Sequence, residues 1–292
     1  MGKLFAAFTL ALFIALGATS PAGAASNTIM VYGDKLTEQQ RAEVRELVGL
    51  DESDAVEEYE ISGEDYAAYI NGNPNSNMYS SARITLEDSG AGLDINIVTP
   101  ENITEVTSEM YANALLTAGV ENATVDVASP VAVTGHSALT GIYKAYDLEG
   151  EELDKERMEL ANDELNVATD LADNEGVTQE EVSELLTEIK QMIAEQNPAT
   201  REEVEQIVQE NLENLGITLN EADRQMLIDL FDRMRDLNID FNQVRTQLED
   251  IASTVTEKME EMGLDEGFWQ KVANFFSELF QSLSNFFRGL SS

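Results

Sequence analysis

The chain has 292 residues, with 56 acidic against 17 basic side chains, one histidine, no cysteine and a formal charge of −39. So acidic a balance excludes nucleic acid as a partner, because phosphate binding needs clustered Lys and Arg. The cysteine and histidine inventory excludes disulfides, thiol nucleophiles and the common His/Cys zinc sites.

In chain order, residues 1–24 read as a secretory leader. Lys3 precedes an apolar run from Leu4 to Leu16 that is too short to span a bilayer, and Ala22-Gly23-Ala24 is a small-x-small cleavage pattern. "TIMVYG" then reads as a strand, and "LTEQQRAEVRELVGL" as a helix with Thr37 and Gln40 forming a capping box. "AVEEYEIS" is a second strand and "GEDYAAYI" a short helix. In "SARITLEDSGAGLDINIVT", alternating Ile84, Leu86, Leu93, Ile95 and Ile97 flank a Gly-rich turn, which predicts a hairpin. A helix "TSEMYANALLTAG", a strand "ATVDVAS" and a helix from about Ser137 to Tyr146 follow. This order predicts an α+β fold, with a mixed-sheet α/β domain over 25–150.

After Gly150 the pattern becomes that of amphipathic helices. Thr178 with Glu181, Thr200 with Glu203, and Asp240 with Gln243 have capping-box spacing, and Asn197-Pro198 and Gly216 separate neighbours. Residues 151–262 are expected to form an acidic helical bundle or hairpin region whose carboxylates are solvated outer faces.

"VTGHSALTG" (133–141) resembles the turn that presents a catalytic serine, but Leu139 stands where G-x-S-x-G requires glycine. His136 is the sole histidine, and a residue next to the nucleophile on a tight turn cannot serve as its base. Ser137 is therefore expected to cap the following helix. Asp88-Ser89-Gly90 matches the aspartic-protease tripeptide once only, so two copies of the chain would be needed to pair aspartates. A turn explains the same residues. Asp236, Asn238 and Asp240 have the opening spacing of an EF-hand loop, yet Phe241 and Gln247 replace its glycine and closing glutamate. Asp240 is expected to cap a helix. No dedicated metal or cofactor is expected, beyond weak nonspecific Ca²⁺ association with the acidic surface.

The final segment, 263–292, holds the single tryptophan, Trp269, and six of the eight phenylalanines that follow the leader: Phe268, Phe275, Phe276, Phe280, Phe286 and Phe287. Val272, Leu279 and Leu283 continue the same stripe at helical spacing. An aromatic face with few charges suits a helix lying in a membrane interface, docking on an envelope protein or associating with a second copy. It would equally suit a tail packed as core.

"VYGDKLTEQQRAEV", "TPENITEVTSEMYANALLTAGVENATVDVASPVAVTGHSALTGIYKAY" and the aromatic tail resemble the secreted YpuA-like proteins of Gram-positive bacteria, domain-of-unknown-function family 1002. The resemblance covers most of the chain after the leader and is most specific from Thr99 to Tyr146. It implies a leader, an α/β N-terminal part and a helical C-terminal part, and it carries over no catalytic residue. Excess charge fits saline or alkaline surroundings, where salt shortens the Debye length from about 10 Å at 0.1 M to about 3 Å at 1 M. The expected protein is exported and non-enzymatic, at the envelope or outside the cell. Alternatives are a carboxylate-dependent hydrolase using Asp88 and a structural secreted protein.

Overall fold

The computed structural model describes residues 27–51, 53–173 and 177–261. Strand β1 (Thr28–Gly33) leads into helix α1 (Glu38–Leu47), where Thr37 Oγ1 accepts from the Gln40 N–H and Gln40 Oε1 accepts from the Thr37 N–H. The capping box closes as its spacing requires. Then come β2 (Glu57–Ile61), α2 (Gly63–Ile70), β3 (Ser81–Leu86), β4 (Leu93–Ile97), α3 (Ser108–Ala118), β5 (Ala123–Ala128) and α4 (Ser137–Leu148). Helices α5 (Lys155–Ala172), α6 (Gln179–Gln196), α7 (Arg201–Leu215), α8 (Glu221–Asp236) and α9 (Arg245–Glu261) complete the described chain. The fold is α+β, a mixed-sheet N-terminal region followed by a helical one.

The sheet order is β2-β1-β3-β5-β4, so the predicted hairpin does not form: β5 lies between β3 and β4. It runs antiparallel to β3 and parallel to β4. The Gly-rich turn is real, with Gly90 and Gly92 at positive φ, but their N–H groups donate to Asn122 Oδ1 and the turn spans the end of β5. Hydrophobicity explains the order. β5 is buried along nearly all its length and takes a central place, whereas β4 and β2 carry exposed Asp94, Asn96, Glu57, Glu58 and Glu60 and take the edges. Charged edges also deter further strand pairing. Helix α3 forms the crossover between parallel neighbours β4 and β5.

Period-two alternation divides the sheet's faces. Met30, Tyr32 and Ala128 pack with Leu36, Val44 and Val48 beneath α1. Ile29, Val31, Ile84, Val125 and Val127 face the other way, into a main core that continues through Leu115, Leu139, Leu160, Ile189 and Phe231. That core joins the sheet to the helices α3 to α9 without a break. Its centre is α6, buried at every position from Val182 to Ile193 and packed by α3, α5, α7 and α9. The boxes Thr178/Glu181 and Thr200/Glu203 both close, and Asn197 and Gly216 end their helices in the left-handed conformation. Asp240 does not cap α9. Its Oδ1 accepts from the Asn242 N–H within a turn, and the helix starts five residues later.

Candidate functional site

Around residues 133–141 the local chemistry is structural. Gly135, at φ +111°, turns the chain into α4, and a Cβ there would lie 2.7 Å from Tyr111 Oη and 2.9 Å from Ile103 Cγ2. Tyr111 Oη donates to the Gly135 carbonyl at 2.6 Å. Contrary to expectation, Ser137 is not a cap: it is the first helical residue. His136 before it already has helical dihedrals and supplies no side-chain cap. The Gly135 carbonyl takes the first bond, from the Ala138 N–H at 3.0 Å.

His136 is held between two threonines. Its Nδ1 lies 3.1 Å from Thr134 Oγ1 and its Nε2 3.3 Å from Thr169 Oγ1 on α5. Burial lowers its pKa and outweighs the opposing charge of Asp170, so the ring is neutral at neutral pH. With both nitrogens engaged away from Ser137, it cannot act as that serine's base. The adjoining open cleft, about 340 Å³, is lined by Tyr66, Met78, Thr134, His136 and Ser137 among others.

Asp88 sits exposed in the turn before β4. Phe241, at the position where an ion-binding loop needs glycine, is instead a core side chain whose ring lies 5.7 Å from Lys190 Nζ. Among the described residues no three His, Cys, Asp or Glu side chains converge as a metal site.

The unexpected chemistry is inside the helical region. Expectation placed its carboxylates on solvated faces, but Glu164, Glu184 and Glu188 are at most 1% exposed. Lys190, wholly buried, donates from Nζ to the Asn113 carbonyl at 2.7 Å and to Asn113 Oδ1 at 3.3 Å. It also makes an ion pair with Glu164 Oε1 at 2.5 Å. Thr117 Oγ1 donates to Glu164 Oε2 at 2.5 Å, and Asn113 Nδ2 to Thr187 Oγ1 at 2.9 Å. Arg157 closes the end of α3 through the Thr117 and Leu116 carbonyls. This network ties α3, α5 and α6 together. Burial lowers the Lys190 pKa, while Glu164 acts in the opposite direction.

Tyr143 on α4 is fully buried, and burial and the Glu164 charge raise its pKa. Its hydroxyl has no hydrogen-bond partner among the described residues. An unsatisfied buried hydroxyl is a net cost. Tyr143→Phe is therefore expected to stabilise the protein by about 1 kcal/mol, read as a shifted urea midpoint at unchanged slope. A loss of stability would mean that the hydroxyl has a partner.

Sequence reasoning missed these interior groups for a simple reason. On α6 the stripe Val182, Leu185, Leu186, Ile189, Met192 and Ile193 predicts one buried face. Nothing local says that the opposite face is covered as well. Of the predicted binding residues, Phe268, Trp269, Val272, Phe275, Phe276, Leu279, Phe280, Leu283, Phe286 and Phe287 lie outside the described residues. Within the described residues the large apolar side chains left exposed are Leu47 and Leu148. No helix there is long and apolar enough to cross a membrane.

Comparison with known proteins gives two matches. The model of a family described as protein of unknown function, DUF1002, matches residues 32–251. The uncharacterized protein YpuA of Bacillus subtilis (strain 168) is 32% identical over 276 residues, covering 91% of each chain. No solved structure matches.

Proposed function

The chain belongs to the DUF1002 family, whose description assigns no activity, and from its residues we propose an exported, non-enzymatic protein of the cell envelope or extracellular space. In this reading residues 263–292 hold the protein to a membrane interface or an envelope protein through Phe268, Trp269, Phe275, Phe276, Phe280, Phe286 and Phe287. The observation that carries it is the concentration of aromatic residues in that one low-charge segment of a chain with a formal charge of −39. Two features support it. The described surface exposes two large apolar side chains, well apart in sequence, and so offers little else for an apolar partner to cover. The leader-like residues 1–24 fit export.

The engagement of His136 with Thr134 and Thr169 takes the one histidine of the chain away from the role of base to Ser137. Flotation with liposomes at high salt tests the attachment. The mature protein, without residues 1–24, is expected to float and the same chain ending at Met262 to stay at the bottom. Flotation of both would move the contact elsewhere. If neither floats and the shortened chain melts earlier, the segment is core and the attachment reading fails.

A further inference from the structure

Helix α6 carries a second buried polar stripe. Glu184, Glu188 and Gln191 follow one another at spacings of four and three, which sets them on one face, roughly 130° around the helix from Lys190. Both carboxylates and the Gln191 amide are almost wholly buried. All six of their side-chain oxygen and nitrogen atoms lack a hydrogen-bond partner among the described residues. Glu195, next along the same stripe, lies 3.6 Å from Arg245 in the first turn of α9. At the other end of α9, Lys258 Nζ contacts Glu109 Oε1 on α3 at 2.5 Å. Along α9 the buried residues are Leu248, Ile251, Ala252, Val255 and Met259, and Gln247 Oε1 is buried beside them with no partner among the described residues. Because Glu195 of the same stripe meets α9, helix geometry sets the two carboxyl groups on the side of α6 that faces α9, a largely apolar helix pinned at its two ends.

We propose that Glu184 and Glu188 form a proton-held latch between α6 and α9, closed while both carboxyls are protonated and opened on the α9 side when they ionise. A carboxylate cannot be held in an apolar, unpaired setting without large cost, so the closed form keeps its protons. The cations in reach are already committed. On α6 itself Lys190 is paired with Glu164 of α5, and from α5 Arg157 is bonded to the end of α3; from α9, Arg245 is paired with Glu195 and Lys258 with Glu109. From α3 the facing charged group is Glu109 itself. Helix α7 turns in Val204, Ile207, Val208, Leu212 and Leu215 with the neutral Asn211, which bonds to Met192. Burial raises both carboxyls, Glu184 to about 8, and the neighbouring Glu184 charge raises Glu188 further.

Helix α9 is the element that yields, because it packs chiefly on α6 and α3, whereas α3 and α5 are tied to each other and to the sheet layer. Ionisation is favoured only once water reaches the pair, so rising pH favours the open form.

Amide hydrogen exchange of the full-length protein, expressed as protection so that intrinsic base catalysis is removed, tests the latch. Between about pH 5 and about pH 8, protection of α9 is expected to fall about tenfold per pH unit for each carboxyl that ionises on opening. Amides of β3 and β5 should stay protected. In E184Q/E188Q the α9 dependence should vanish, and in E188Q alone it should halve on the logarithmic scale. The infrared carbonyl band of protonated acid, present in the unaltered protein at neutral pH and lost at alkaline pH, reads the same event without any variant. Absence of that band, or an equal pH dependence in E184Q/E188Q, overturns the proposal. So does protection restored by Ca²⁺ and lost to a chelator, because a bound cation rather than protons would then neutralise the pair.

Discussion

Lys190→Met is expected to destabilise the protein by about 3–5 kcal/mol, the range for removing one partner of a buried ion pair. The substitution keeps the length and apolar stem of the side chain, so little of the loss comes from packing. What is lost is the ion pair to Glu164 and the two bonds to Asn113, which leaves a carboxylate with 1% exposure and Thr117 as its remaining donor. The energy resides in the abandoned charge more than in the pair. E164Q/K190M is therefore expected to recover at least half of the loss, and the cycle of single and double variants isolates the coupling. Equilibrium urea unfolding at high salt, where repulsion among the surface carboxylates is screened, is the measurement. A cost below about 1 kcal/mol for Lys190→Met would mean that water reaches the pair and that it does not tie α3, α5 and α6 together.

The second large effect has the opposite sign and depends on pH. A carboxyl whose folded pKa is raised contributes stability that is complete below its unfolded pKa and is lost as pH rises through the folded value. For Glu184 that window runs from the ordinary 4.5 to about 8. The shift corresponds to about 5 kcal/mol once the window is crossed, at 1.36 kcal/mol per pH unit. Glutamine in its place still buries an unsatisfied amide, at about 1–3 kcal/mol. Glu184→Gln is thus expected to be neutral or slightly destabilising near pH 5 and stabilising by about 2–4 kcal/mol near pH 8.

Groups with lowered pKa values do not mask this trend. Glu60, held down by its hydrogen bond from Arg41, and Glu221, held down by Arg224, contribute stability above their ordinary pKa values and lose it as pH falls on the acid side. A series of urea titrations across pH separates the two windows. Equal stability of Glu184→Gln and the unaltered protein at pH 8 would show that the carboxyl is solvated or paired.

The two results bear on function through the same helix. Lys190 and Glu184 lie on different faces of α6, one locking it to α3 and α5, the other leaving the α9 side sensitive to ionisation. Fast exchange limited to α9, over a sheet and an α3–α5 layer that remain closed, is the behaviour this arrangement implies.

What the sequence alone determined lies within a few residues of its cause. Thr37 with Gln40, Thr178 with Glu181 and Thr200 with Glu203 marked helix starts because each box is satisfied over three residues. Alternation at Ile84, Leu86, Leu93, Ile95 and Ile97 marked strands because a sheet has period two, and the run from Thr99 to Tyr146 carried the family resemblance. Tertiary structure alone decided which strands pair. Alternation reports a buried face but no neighbour, and β5, some 30 residues further along, displaced the adjacent-strand pairing of β3 with β4. Tertiary structure also decided the surroundings of Glu164, Glu184, Glu188 and Lys190. A charged residue opposite an apolar stripe reads as solvated until a second layer covers it. Here the cover comes from α3, more than 70 residues before Lys190, and from α9, some 60 residues after Glu184. Burial of a charge is a property of distant contacts, and no local pattern encodes it.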